Sequence, residues 1–159
     1  MNPRQNINSA PQVQSFKNTC RQAGLKVTPQ RLEIYRELCD TTEHPSVDAI
    51  FQKVRDRLPT ISLDTVYRTL STLEEIGAII RVEAFDDRAH FDADTSPHHH
   101  FVCRNCGGIR DFLWEEFDRL DLPQAALDCG RVLAKDAVVR GVCQDCLPLD
   151  DSCRAVGDS

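Results

Sequence analysis

The chain has 159 residues, a net charge of -6 and 8 cysteines, enough for one mid-sized domain or two small ones. No apolar run approaches the roughly 20 residues of a membrane span, and residues 1–8 lack the apolar core of a secretion signal. A cytoplasmic protein is therefore expected, with no membrane partner and with cysteines that serve as metal ligands or reduced thiols rather than as a disulfide framework.

The acidic total is unevenly spread. Arg4, Lys17, Arg21, Lys26, Arg31 and Arg36 stand against the single acid Glu33 over the first 36 residues, and a local basic face is what phosphate binding requires. The first ten residues are polar and expected to be loose. Residues 13–23 predict a short helix ended by Gly24. Thr28-Pro29 is a helix start, with Thr as N-cap and Pro at the first helical position; the helix runs to about Asp40 and buries Leu32, Tyr35, Leu38 and Cys39. His44-Pro45 breaks the chain. Ser46 caps a third helix with Val47, Ile50, Phe51, Val54 and Leu58 at helical spacing, stopped by Pro59. Ser62 opens a fourth, with Val66, Leu70, Leu73 and Ile76 inward and Asp64, Tyr67, Arg68, Ser71, Thr72 and Glu75 on the opposite face.

Gly77 ends that helix, and residues 78–85 and 88–94 predict two strands joined by a tight turn at Asp86-Asp87. Helices followed by a hairpin are the layout of a winged helix-turn-helix, whose last helix enters the major groove. Tyr67, Arg68 and Ser71, with Arg31, are the candidate DNA contacts, since Arg reaches guanine or phosphate and Tyr reaches phosphate or a thymine methyl. A solvated helix face without function would look the same by periodicity. Residues 95–97 form a hinge. Beyond it come strands at 98–103 and 108–113 turning at Gly107-Gly108, a helix from Trp114 to about Asp128 that is irregular near Pro123, and one or two strands over 130–142 carrying Val132, Leu133, Val138 and Val139. The fold class is thus α+β: a winged-helix domain over residues 1–94 and a small α/β domain over 98–146, with a polar, flexible tail at 147–159.

Cys103 and Cys106 form a C-x-x-C pair, matched by Cys143 and Cys146. Two such knuckles make a tetrahedral four-thiolate zinc site, structural because four sulfurs leave no open position; a redox-active C-x-x-C is the alternative. Such a zinc contributes on the order of 10 kcal/mol of apparent folding free energy. His98 and His100, two apart in a strand, point to one side and His99 to the other. Asp111 falls on the adjacent strand and Asp92 just before the hinge. Imidazole and carboxylate without thiolate fit Fe(II), Mn(II) or Zn(II), whereas a polar strand surface is the bland alternative. No catalytic residues are assigned. Neither C-x-x-C follows the Pro, or has the H-x-E partner, of a zinc deaminase, and the H-E-x-x-H of a metalloprotease is absent. A thiol redox switch or a metalloenzyme are the rivals from other classes.

Thr28-Pro29-Gln30-Arg31, Glu43-His44-Pro45, Thr65-Val66-Tyr67-Arg68-Thr69-Leu70, His90-Phe91-Asp92, the His98 to Gly107 run and Gly141-Val142-Cys143-x-x-Cys146 stand in the order and spacing of the Fur family of metal-responsive repressors, which the chain resembles from about Lys17 to Cys146. The resemblance implies a homodimer on double-stranded, palindromic operator DNA, with the second domain serving dimerisation and holding the cysteine zinc. It also implies a regulatory Fe(II) or Mn(II) held by His44, Asp92, His98, His100 and Asp111. Asp at 92 and 111, where iron-sensing members carry Glu, is similar to the peroxide-sensing PerR branch, in which the iron form suffers oxidation of ligand histidines, here His44 and His98. No small-molecule substrate beyond metal and peroxide is implied. An iron-responsive repressor of iron uptake is the alternative, and Arg68-Thr69 resembles that branch more. Lys135 and Pro97 stand where many relatives have histidines of an additional metal site, which is therefore expected to be absent or weak although His99 and Asp118 remain. Cys20, Cys39, Cys129 and Cys153 are read as buried or idle thiols, and His90 as structural or solvated.

Overall fold

The computed structural model describes residues 10–84 and 88–147. The expected looseness of residues 1–9, the Asp86-Asp87 turn and the tail beyond residue 147, with Cys153, lie outside the described residues. Four helices come first: α1 (Ala10–Gln22), α2 (Pro29–Cys39), α3 (Val47–Arg57) and α4 (Leu63–Glu75). The last three start where a hydroxyl satisfies a backbone N–H that the helix itself cannot pair. Thr28 accepts from the Arg31 N–H, Ser46 from Ala49 and Ser62 from Thr65. Gly77, at φ 71, ends α4 in the left-handed conformation that favours glycine.

These helices and the hairpin β1 (Ile80–Val82) and β2 (His90–Asp92) share one core, with Phe16, Ile34, Ile50, Val54, Val66, Leu70, Leu73, Ile79 and Phe91 buried together. The hairpin pairs antiparallel with Val82 opposite His90. Each strand is three residues long, shorter than the sequence predicts. In α2 the buried stripe is centred on Ile34, Tyr35 and Leu38, and Leu32 is only partly covered. The stripe turns far enough to bury Glu37 as well, where Arg57 of α3 donates to its carboxylate at 2.7 Å and Lys53 stands at 3.3 Å.

The second sheet has the order β4-β3-β5, with β3 (His99–Cys103) antiparallel to β4 (Ile109–Phe112) and parallel to β5 (Val138–Gly141). The helix expected over 114–128 is divided into α5 (Glu115–Arg119) and α6 (Gln124–Cys129), because Pro123 has no N–H to continue a ladder. Of the strand expected over 130–142 only β5 forms. The chain meets β3 first at the pairing of Val138 with His100, and Val132 and Leu133 run ahead of it, exposed. Val82 of β1 packs with Val102 and Ile109 in a second, much smaller apolar cluster, so the wing leans on the second sheet. Among the described residues no helix is long and apolar enough to cross a membrane.

Candidate metal centres and nucleic-acid face

The first cluster joins Cys103 at the end of β3, Cys106 in the turn after it, and Cys143 and Cys146 beyond β5. Their sulfurs all lie within 4.8 Å of one another. Gly107, at φ 72, closes the first knuckle by donating its N–H to the Cys103 carbonyl at 2.9 Å. Sulfurs about 2.3 Å from a tetrahedral zinc stand about 3.8 Å apart, and Cys106 Sγ is 3.8 Å from Cys143 Sγ. Backbone N–H groups of Cys106 and Cys143 hold the Cys103 thiol down to about 6, the latter donating to its sulfur at 3.3 Å. Hydrogen bonds with Cys143 and Cys106, and then burial, push Cys146 up to about 12. One thiolate is thus favoured by the backbone while the Cys146 thiol resists ionising beside it. A divalent cation removes that conflict, so the donor set fits zinc.

The second cluster gathers His44, Asp92, His98, His100 and Asp111, again with one donor atom from each within 4.8 Å of the others. His44 comes from the loop between α2 and α3, Asp92 from the end of β2, His98 from just before β3, His100 from β3 and Asp111 from its partner on β4. His44 Nε2 lies 2.9 Å from Asp92 Oδ2 and 2.8 Å from Asp111 Oδ1. His98 Nε2 lies 3.1 Å from Asp92 Oδ2 and 2.9 Å from His100 Nε2, and His100 Nε2 is 3.6 Å from Asp111 Oδ1. Ligands about 2.1 Å from one ion and at right angles to each other stand about 3.0 Å apart. These spacings therefore fit nitrogens and oxygens sharing an ion of the hard to intermediate kind, as sulfur-free imidazole and carboxylate donors favour.

Side chains around the cluster are already oriented. A carbonyl only accepts, so the 2.7 Å contact of His98 Nδ1 with the Ser96 carbonyl places the proton on Nδ1 and turns Nε2 inward. Asp92 Oδ1 accepts from the Asp94 N–H at 2.8 Å, leaving Oδ2 toward the histidines. Burial opposes its charge, yet hydrogen bonds from His100, His44 and His98 outweigh that and hold Asp92 far below the usual carboxylate range. Its carboxylate in turn raises His98 above the ordinary imidazole value. Sequence reasoning missed the Ser96 carbonyl, a backbone group that no residue type announces. It read His90 as structural or solvated without naming its contact, and His90 Nδ1 lies 2.7 Å from the His44 carbonyl.

His99 points to the other side of the sheet, toward Asp118 at 3.2 Å and the rings of Phe112, Trp114 and Phe117. Lys135 lies nearby. Its ammonium donates to the carbonyls of Asp118 at 2.8 Å and Leu120 at 2.5 Å, above the ring of Phe117. Among the described residues no third cluster of metal donors forms there. Cys20 and Cys39 are buried in the helical core, and Cys129 is exposed on α6.

On α4, Tyr67 is 53% exposed. Arg68 is exposed and paired with Asp64 at 2.9 Å, and Ser71 is half-buried on the same helix. Tyr67, Arg81 and Arg88 line a groove between the starts of α3 and α4 and the wing. Arg31 donates to the Lys26 carbonyl at 2.7 Å, and Lys26 shares a shallow depression with Lys17 and Arg21.

A family model described as the ferric uptake regulator family matches residues 22–127. The peroxide-responsive repressor PerR of Staphylococcus epidermidis is 35% identical over 127 residues, which cover 79% of this chain and 84% of that protein. Among solved structures, the peroxide stress regulator of Campylobacter jejuni is similar with a TM-score of 0.61 at 27% identity, over 84% of this chain and 98% of that one. The ferric uptake regulator of Pseudomonas aeruginosa with manganese gives 0.64 at 27% identity, over 80% and 97%. With two thirds of its length matched by one family model, the chain belongs to the ferric uptake regulator family of transcriptional regulators.

Proposed function

We propose that the chain is a metal-dependent repressor that senses peroxide and works as a homodimer on palindromic operator DNA. The observation that carries this reading is the convergence of His44 and Asp92, from the helical half, with His98, His100 and Asp111 of the second sheet. In this reading the DNA-binding unit ends at Asp94, residues 95–97 are the hinge and 98–146 the dimerisation unit. Cys103, Cys106, Cys143 and Cys146 hold a structural Zn(II), and the five oxygen and nitrogen donors hold a regulatory Fe(II) or Mn(II).

The donors of both halves reach a common ion in one arrangement of the two units, so loading favours that arrangement by its differential affinity. The recognition helices, each with Tyr67, Arg68 and Ser71 toward bases and backbone and Arg31 at a phosphate, are then spaced for half-sites about one helical turn apart. Leu113, Trp114, Leu120, Leu127, Leu133 and Val139 are all exposed around the second sheet, an apolar surface suited to a second copy. Bound Fe(II) supplies the chemistry by which peroxide oxidises a ligand histidine, and Mn(II) does not. His44 and His98 are the residues modified; an oxidised imidazole no longer offers its Nε2, so the two units part and DNA is released.

The test loads the protein with Fe(II) or Mn(II), adds dilute peroxide, and combines DNA binding with peptide mass mapping. The expected result is the gain of one oxygen atom on the peptides of His44 or His98 in the iron form alone, together with loss of DNA. An unmodified iron protein that keeps its DNA would make it an iron-responsive repressor instead. Zinc release with disulfides and intact histidines would make it a thiol switch.

A further inference from the structure

His44 is the single non-glycine among the described residues with positive φ, at 50°. Left-handed backbone is unfavourable for any residue with a Cβ, and the following Pro45 restricts it further. A residue in that state is held by its surroundings, and here the holder is the wing. The Phe91 N–H donates to the Pro45 carbonyl at 3.2 Å, and Ser46 bridges to His90. Those are backbone contacts that most residues at 90 would permit. The side-chain contact is different: His90 Nδ1–H donates to the carbonyl of His44 itself, at 2.7 Å, two residues before the ligand Asp92.

We infer that His90 is a positioning residue of the second metal centre: its Nδ1–H fixes the strained backbone of His44 so that the buried Nε2 faces the shared ion, and so ties the wing hairpin to metal occupancy. The inference rests on the ligand set proposed above. His90 is not among the five donors that converge; it acts on the ion only through His44. Because β2 carries His90 and Asp92 on successive turns of its pleat, one short strand orients one ligand and supplies another. A metal that organises His44 therefore also fixes the hairpin lying beside α4, on the face given to DNA.

The experiment compares His90→Phe, which keeps a ring and loses the donor, with His90→Asn, whose amide N–H occupies the place of Nδ1–H, in the full-length zinc-loaded protein. Mn(II) affinity is read from the electron paramagnetic resonance of the free ion, beside zinc content and the melting temperature of the Mn(II)-free protein. His90→Phe is expected to weaken Mn(II) binding about 10- to 100-fold with the other two readouts unchanged, while His90→Asn stays within about threefold of the unchanged protein. Unchanged affinity in His90→Phe, equal losses in both variants, or a fall in Mn(II)-free melting that tracks the affinity loss would each overturn the positioning role. His44→Ala separates the two readings. If that variant keeps its Mn(II), the ligand assignment itself is wrong; if it alone loses Mn(II), the assignment stands and the role of His90 falls.

Discussion

Replacing Cys143 by Ser tests how far the second sheet depends on its thiolates. The apolar cluster beneath that sheet consists of Val82, Val102 and Ile109, with Ala84 and Val138 partly buried against it. At about 2 kcal/mol for each fully buried side chain it contributes about 6 kcal/mol. Neither α5 nor α6 has a buried residue, so the helices add little within one chain. Ordering the backbone of β3, β4 and β5, of five, four and four residues, costs roughly 13–26 kcal/mol. The shortfall of roughly 7–20 kcal/mol brackets the roughly 10–16 kcal/mol that a structural zinc supplies. Cys143 is 5% exposed, and a hydroxyl in its place neither completes the tetrahedron nor tolerates burial without a partner. The variant is expected to contain no zinc and to lose amide protection across residues 99–141. Helices α1 to α4, with their own core, keep theirs. Hydrogen exchange followed by peptide mass analysis reads both halves in one experiment. Full protection of β3 in a zinc-free variant would refute the reasoning.

His44→Ala is expected to abolish Mn(II)-dependent DNA binding, measured by fluorescence anisotropy on operator DNA, with zinc content and oligomeric state unchanged; unfolding of the variant would point to a structural role instead. Lys135→His exchanges an ammonium that caps carbonyls for an imidazole beside His99 and Asp118, and metal analysis is expected to rise from two ions per chain to three. A count of three before the substitution would contradict the reading of Lys135. Arg68→Ala is expected to weaken DNA binding, lowering the slope of log affinity against log salt by about 1 if the contact is to phosphate, or costing about 1–3 kcal/mol at one base position if it is to guanine. No change in either would remove Arg68 from the interface.

Much of this architecture was legible in the residues themselves. Thr28-Pro29, Ser46, Ser62 and Gly77 carry their helix boundaries in local chemistry, and the structure places the caps there. The two C-x-x-C pairs and the alternation of His98, His99 and His100 could be read because sulfur spacing and a period of two are local properties. What was not legible depends on partners far along the chain. Pairing with β3 decides where β5 begins, so Val132 and Leu133 look like strand and are not. Periodicity finds an apolar stripe in α2 without showing that Glu37 lies in it, because Arg57 and Lys53 of α3 make that burial tolerable. No pattern in the sequence links His44 to residues 92–111; the resemblance supplied that link, and the fold supplies the distances.

The proposal that one ion ties the helical half to the second sheet is tested most directly by anomalous scattering from crystals of the Mn(II)-loaded protein. The account predicts one manganese per chain about 2.2 Å from donor atoms of His44, Asp92, His98, His100 and Asp111 together. Manganese held by His98, His100 and Asp111 with His44 outside its coordination would contradict it.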